Sequence, residues 1–303
     1  MTGAANKSIS KQADSFMSAC WAGENLKVFK FLKAGFNVNH QQRKPLPFAT
    51  ELRDSKLTGL MYAAVQGHTD IARILLNRDA DIRVRSKLRN TALGFAASLG
   101  RTAIVKELLS RGADPDDTFS IGFGVFSVLH QASHNGHLDV VKALIAHGAD
   151  VNALKFGYPL QAAAEIGNVG IVRELLRAGA IPNPTKSKPI ITAAATGCEK
   201  IVRILLSAGA DIDCTDSWGM TPLMWAARNG RVATVKLLLT KKARVDVLSG
   251  NLSQGELTAL GFAKQARHSA VVRLLKQAGA TRAQQASKPF EVRIRRGGKW
   301  ITE

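Results

Sequence analysis

The chain has 303 residues and a formal net charge of +19. No apolar run approaches the length of a membrane span, and the first residues, MTGAANKSISKQADSF, lack the apolar core of a secretory signal, though Lys7 and Lys11 with no acid before Asp14 leave a transit peptide open. Cys20, Cys198 and Cys214 share no CxxC spacing, which argues against a disulfide framework or a zinc site and for reduced thiols in an intracellular protein, cytoplasmic or nuclear.

Residues 1–12 read as a flexible polar tail. From Ala13 one unit repeats. A turn glycine recurs at Gly23, Gly67, Gly100, Gly136, Gly167, Gly197 and Gly230, with Arg267 in the eighth place, at intervals of 30 to 44 residues. Thirteen residues after each lies Phe36, Ala80, Ala113, Ala149, Ala180, Ala210, Ala243 or Ala280. A constant inner offset with variable outer spacing marks repeated units joined by unequal loops. The stretch from Thr221 to Asp246 spells the unit out as two helices. Thr221 is placed to cap the first and Pro222 takes its first turn, where a missing N–H costs nothing. Leu223, Ala226 and Ala227 mark one face, Gly230 stops the helix, and Val232, Val235, Leu238 and Leu239 stripe the second. One such pair cannot stand alone. Ordering it costs about 1–2 kcal/mol per residue in backbone entropy, against about 1.5–3 kcal/mol for each buried Leu or Val. The repeats must therefore lean on one another, as one array over 13–281.

Several stretches depart from the unit. Residues 40–57 form an insertion with two prolines, either an ordered surface loop or an arm that touches a partner. Asp79 and Lys242 stand in a second turn position that is elsewhere glycine; Asp tolerates the left-handed conformation, whereas Lys242 predicts local strain or a looser turn. If residues 83–90 are extended, Arg83, Arg85, Lys87 and Arg89 share one face, suited to phosphates or carboxylates or to discouraging edge-to-edge pairing. In 117–126, Phe119, Ile121, Phe123 and Val125 alternate with Ser and Gly, predicting a hairpin folded over a neighbouring repeat or left as an exposed patch. His130, His134 and His137 straddle a helix end and do not share a face, so no metal site is expected. Residues 282–303 are a basic tail whose Gly297-Gly298 predicts a short hairpin, covering the last repeat or making contacts through Arg293, Arg295 and Arg296. Nothing resembles a nucleophile–base pair or a matched pair of carboxylates, so neither catalysis nor a cofactor is expected.

The segments TPLMWAARNG, SVLHQASHNG with IAHGADVNA, and IVRILLSAGADID resemble ankyrin repeats. The resemblance implies an all-α solenoid of about eight helix-pair repeats with short β-hairpin fingers. It also implies a non-enzymatic protein–protein interaction scaffold that binds through its finger tips and concave helix face. Carried onto this chain, the family's contact positions are Ser217, Trp218, Met220, Arg228 and Asn229; Lys87, Leu88, Arg89, Asn90, Ser98 and Leu99; and His134, Asn135, Glu165 and Ile166. Trp218 leads, because aromatic anchors dominate interface energetics. His130 matches a histidine that bonds between repeats in that family. The expected partner is another protein with an acidic surface, bound by a monomer. The alternative is nucleic acid or another polyanion held by Arg83, Arg85, Lys87, Arg89, Arg293, Arg295 and Arg296.

Overall fold

A computed structural model of the chain describes residues 2–42, 54–122, 124–154, 157–250, 256–281, 284–285, 293–296 and 299–302. The chain forms two compact units, Met1–Ile181 and Pro182–Glu303. Both are stacks of helix pairs.

In the first unit the leading helices are α1 (Thr2–Ala22), α3 (Gly59–Gln66), α5 (Ala92–Ser98), α7 (Val128–His134) and α9 (Pro159–Glu165). Their partners are α2 (Asn25–Lys33), α4 (Thr69–Leu76), α6 (Thr102–Ser110), α8 (Leu138–Ala146) and α10 (Val169–Arg177). The second unit holds α11 (Pro189–Thr196), α13 (Pro222–Arg228) and α15 (Ala259–Gln265), paired with α12 (Glu199–Ser207), α14 (Val232–Thr240) and α16 (Ser269–Gln277). Leading helices pack on leading helices and second helices on second helices within each unit. Residues 2–12, expected as a flexible tail, are the first turns of α1.

Local chemistry sets these bounds. Thr58, Thr91, Ser127, Thr221 and Thr258 each accept a bond from the amide three residues on, at 3.0 to 3.3 Å. The recurring turn glycine has φ between 66° and 86° in seven repeats, and Arg267 takes φ 59° in the eighth. The glycine also leaves room for the next repeat: a Cβ on Gly100 would lie 2.6 Å from the His137 ring. The residue after the turn uses that room to stitch repeats together. His68 reaches the Trp21 carbonyl (2.8 Å), Arg101 that of Val65 (3.1 Å), His137 that of Ser98 (3.0 Å), Arg231 that of Ala195 (3.1 Å) and His268 that of Arg228 (3.0 Å). A second ladder runs at the finger side, where Asn39, Asp116, Asn152, Asn183 and Asp213 each accept an amide of the next repeat at 2.7 to 3.0 Å.

Asp79 and Lys242 take φ 60° and 64°. The looser turn expected at Lys242 is not found. Its amide bonds Leu239 at 2.9 Å and Ala243 bonds Leu238 at 3.0 Å, matching the turn at Gly279. The misfit is confined to the Lys242 backbone itself.

Among the described residues, β1 (Thr118–Ile121) and β2 (Gly124–Ser127) form a hairpin in register Phe119 with Phe126. Phe119 is buried and folds over Gly94 to meet Phe95 edge-on at 5.5 Å, whereas Ile121 and Val125 stay exposed; Phe123 lies outside the described residues. Near the C-terminus, β3 (Glu256–Leu257) pairs with β4 (Gln284–Gln285), and β5 (Arg293–Arg296) pairs antiparallel with β6 (Lys299–Thr302). Of the 40–57 insertion, only the two feet are described. They meet as an antiparallel bridge between Gln42 and Leu57, and residues 43–53 lie outside the described residues.

Candidate binding surface

In the second unit, one carboxylate builds the finger between α12 and α13. Asp216 Oδ1 accepts the amides of Trp218 and Met220, both at 2.9 Å, and Oδ2 accepts the indole N–H of Trp225 at 2.7 Å. The turn is closed by the Asp216 amide on the Met220 carbonyl at 3.2 Å. From outside, the Gly250 amide bonds the Trp218 carbonyl at 2.8 Å. The backbone under Trp218 is thus held on both sides while its side chain remains 55% exposed. The Trp218 ring lies 6.1 Å from that of Trp225, and the Arg228 guanidinium sits 5.3 Å over Trp225. The result is a fixed aromatic pair carrying one cation, the kind of preorganised anchor that loses little side-chain entropy on binding. Ser217 is exposed beside it, and exposed Asn229 spends its amide on the Ala195 carbonyl at 3.0 Å. Met220 is not part of this surface: it is 1% exposed.

In the first unit, the finger of residues 83–90 is built by carboxylates from elsewhere. Asp54, 3% exposed, accepts the Ser86 hydroxyl, the Leu88 amide at 3.0 Å and the Asn90 side chain at 3.4 Å. Asp117 accepts the Thr91 hydroxyl at 2.7 Å and the Arg85 guanidinium at 2.8 Å. This network overturns the extended four-cation edge. Residues 82–83 and 87–88 are turns, Arg89 takes φ 66°, and Arg85 bends to Asp117 and to the Arg89 carbonyl, so period two never develops. Lys87, Leu88 and Arg89 are exposed, as is Arg83, which stands 4.0 Å from Asp81. Asn90 is 2% exposed and bonds both the amide and the carbonyl of Ser120, so it is a structural residue rather than a contact. Arg293, Arg295 and Arg296 lie on β5, and their side chains lie outside the described residues.

Asn90 and Met220 fail for one shared reason. Each directly precedes the capping threonine, whose extended backbone (φ −103°, ψ 170° at Thr91; φ −85°, ψ 165° at Thr221) turns the previous side chain inward. Leu57 and Leu257, in the same place before Thr58 and Thr258, are buried too. Those two leucines were the sequence signal that the position is interior.

Further along the first unit, His134, Asn135 and Glu165 are exposed, with Leu99 and Ile166 as exposed apolar neighbours in sequence. Asn135 bonds the carbonyl of buried Ser98 at 2.7 Å. The His130 ring stacks between Phe126 at 4.8 Å and His134 at 6.3 Å; burial first, and His134 second, hold it below the usual imidazole range. Among the described residues no group of three or more His, Cys, Asp or Glu is placed to hold a metal ion, and no helix is long and apolar enough to cross a membrane.

A sequence profile described as ankyrin repeats matches three times, over residues 16–118, 129–216 and 193–285. "Ankyrin repeat and KH domain-containing protein mask-1" of Caenorhabditis elegans is 36% identical over 128 residues, 40% of this chain and 5% of that protein. "Palmitoyltransferase AKR1" of Lachancea kluyveri is 36% identical over 129 residues, 39% of this chain and 18% of that protein. "Cyclin-dependent kinase 4 inhibitor B" of Rattus norvegicus is 34% identical over 116 residues, 36% of this chain and 88% of that protein. The solved structure of the human ASB11 ankyrin repeat domain aligns with TM-score 0.57 and 31% identity, covering 63% of this chain and 85% of that one. With capped helix pairs, left-handed turns and repeat-to-repeat stitches all in place, the chain belongs to the ankyrin repeat family, whose repeats are protein–protein interaction modules.

Proposed function

We propose that this chain is a non-enzymatic scaffold that recognises a protein with an acidic surface, and that Trp218 is its principal anchor. The observation that carries the reading is an indole left 55% exposed on a backbone fixed by Asp216 and Gly250. Arg228 on the neighbouring Trp225 supplies positive charge beside the anchor, with Ser217 and Asn229 as polar rim. In the first unit, Lys87, Leu88, Arg89, His134, Asn135 and Glu165 form the secondary contacts. The protein acts as a monomer inside the cell, in the cytoplasm; three free cysteines, two of them buried, support a reducing setting.

The test is capture of partners from lysate of the native cell, comparing the parent chain with Trp218→Ala. The expected outcome is a partner retained by the parent and lost at least tenfold by the variant, released by added salt, with an unchanged unfolding midpoint. Identical capture by both proteins, or a fall in midpoint with capture intact, would reverse the assignment of Trp218.

A further inference from the structure

We propose that the outer face of α14 and α16 binds an anionic membrane surface. Lys236 lies on α14, Lys241 and Lys242 at its C-terminal end, and Arg273 and Lys276 on α16; all five are exposed. Neither helix, VATVKLLLT nor SAVVRLLKQ, contains an acid. Lys236 and Arg273 each fall six residues after the turn residues Gly230 and Arg267, so they hold the same repeat position on two helices that pack together. None of the five has an ion-pair partner among the described residues; the flanking acids are taken, Glu199 by Arg203 at 2.6 Å and Asp246 by Arg244 at 3.7 Å.

The other second helices show what is unusual. α4, α6, α8, α10 and α12 each set an acid among their cations, namely Asp70, Glu107, Asp139, Glu174 and Glu199, and α2, which holds none, pairs its Lys27 with Glu24 just ahead of it at 3.0 Å. Glu107 pairs with Arg73 and Arg111, and Glu174 with Arg177. Surfaces of that kind are locally balanced. The α14–α16 face is not.

Its geometry favours a plane of charge over a strand. Neighbouring helices lie about 8–10 Å apart, and Lys241, the C-cap of α14, lies about 7.5 Å beyond Lys236 along the axis and about 140° round it at helical spacing. The cations therefore spread in two dimensions rather than along one track. A site for single-stranded nucleic acid would interleave aromatic platforms with its cations, and α14 and α16 contain no aromatic residue. A leaflet of acidic phospholipid offers negative charge over an area, and each cation that reaches it is worth about 1 kcal/mol near the surface. This proposal is independent of the role given to Trp218.

Cosedimentation of the full chain with phosphatidylserine–phosphatidylcholine vesicles tests it. Binding is expected at low salt, absent with phosphatidylcholine alone, and reduced about 100-fold in the triple variant Lys236→Gln, Lys241→Gln, Arg273→Gln, at about 1 kcal/mol per lost cation. Circular dichroism of the triple variant should show an unchanged unfolding midpoint, because all three side chains are exposed. Trp218→Ala and a tail variant with Arg293, Arg295 and Arg296 changed to Gln should bind vesicles like the parent. The proposal is overturned by no preference for phosphatidylserine, by a triple variant that binds like the parent, or by loss of binding in the tail variant instead. A duplex DNA fragment bound more tightly than the vesicles, through the same three cations, would reassign the face to nucleic acid and equally overturn it.

Discussion

The fingers at residues 83–90 and 216–220 have the same turn and opposite means of holding it. Counting back from the turn glycines Gly100 and Gly230, Ser86 occupies the place of Asp216, Leu88 that of Trp218 and Asn90 that of Met220. In the second unit Asp216 bonds the amides of Trp218 and Met220 itself. In the first, Ser86 accepts the Asn90 amide at 3.0 Å but is too short to reach further, and Asp54 supplies the missing carboxylate to the Leu88 amide. A local side chain in one finger is replaced in the other by a residue contributed through space from the end of the 40–57 insertion. That insertion, read from sequence as a surface loop or an arm, thus has at least one foot committed to structure.

The largest expected effect comes from removing that foot. Asp54→Ala strands the Ser86 hydroxyl, the Leu88 amide and part of the Asn90 side chain in a buried setting, and should cost about 3 kcal/mol in urea unfolding. The equivalence of Ser86 and Asp216 makes a sharper demand. Ser86→Asp should restore part of that loss in the Asp54→Ala background, yet destabilise the parent, where two carboxylates would then face each other. Equal effects in both backgrounds would mean that the two fingers are not built on one plan.

In the second unit, Asp216→Asn keeps an acceptor for the Trp218 and Met220 amides but loses the charge-assisted bond to Trp225. A loss of about 1–2 kcal/mol is expected, together with weaker partner capture, because Trp225 and Trp218 no longer share a fixed carboxylate. Unfolding midpoint and capture measured on one preparation separate the two consequences.

What the sequence revealed, and what it hid, follows the same division between near and far. The helix pairs were legible because every device that makes them is local: a capping Thr or Ser, a left-handed turn, an apolar stripe within ten residues. Trp218 was legible as exposed because its own neighbour, Asp216, folds the finger beneath it. The four-cation edge was misread because Asp54 and Asp117, far along the chain from Ser86 and Arg85, decide the path of the finger. Asn90 and Met220 were misread at one and the same repeat position, although Leu57 and Leu257 at that position were apolar.

The first unit also carries a titratable contact with no counterpart among the described residues of the second. His130, half-buried between Phe126 and His134 and facing Glu165 across the repeat, binds a proton less readily than it would unfolded. A depressed imidazole value means that the unfolded chain takes up more protons. The stability is therefore present above about pH 6.5 and lost as pH falls through that value. The unfolding midpoint should drop between pH 7.5 and 5.5, and His130→Gln should flatten the slope. A parent midpoint that is level over that range would remove His130 from the account.

The smallest effect concerns the second turn position, occupied by Asp79 in one unit and Lys242 in the other. Both hold φ near 60°, and both keep the turn's hydrogen bonds. At Gly112, Gly148, Gly179, Gly209 and Gly279, the same position elsewhere, an added Cβ would meet nothing within 4 Å. The cost of a side chain here is then purely that of the left-handed backbone, about 1–2 kcal/mol for an ordinary residue and less for Asp, whose short polar side chain visits that region more readily. Glycine removes the cost but returns part of it through the freedom of its unfolded chain. Lys242→Gly should accordingly stabilise by about 0.5 kcal/mol, and Asp79→Gly by less or not at all. If Asp79→Gly proved the more stabilising, backbone strain would not be what separates the two turns, and the side chain of Lys242 would have to be contributing something the exposed position does not show.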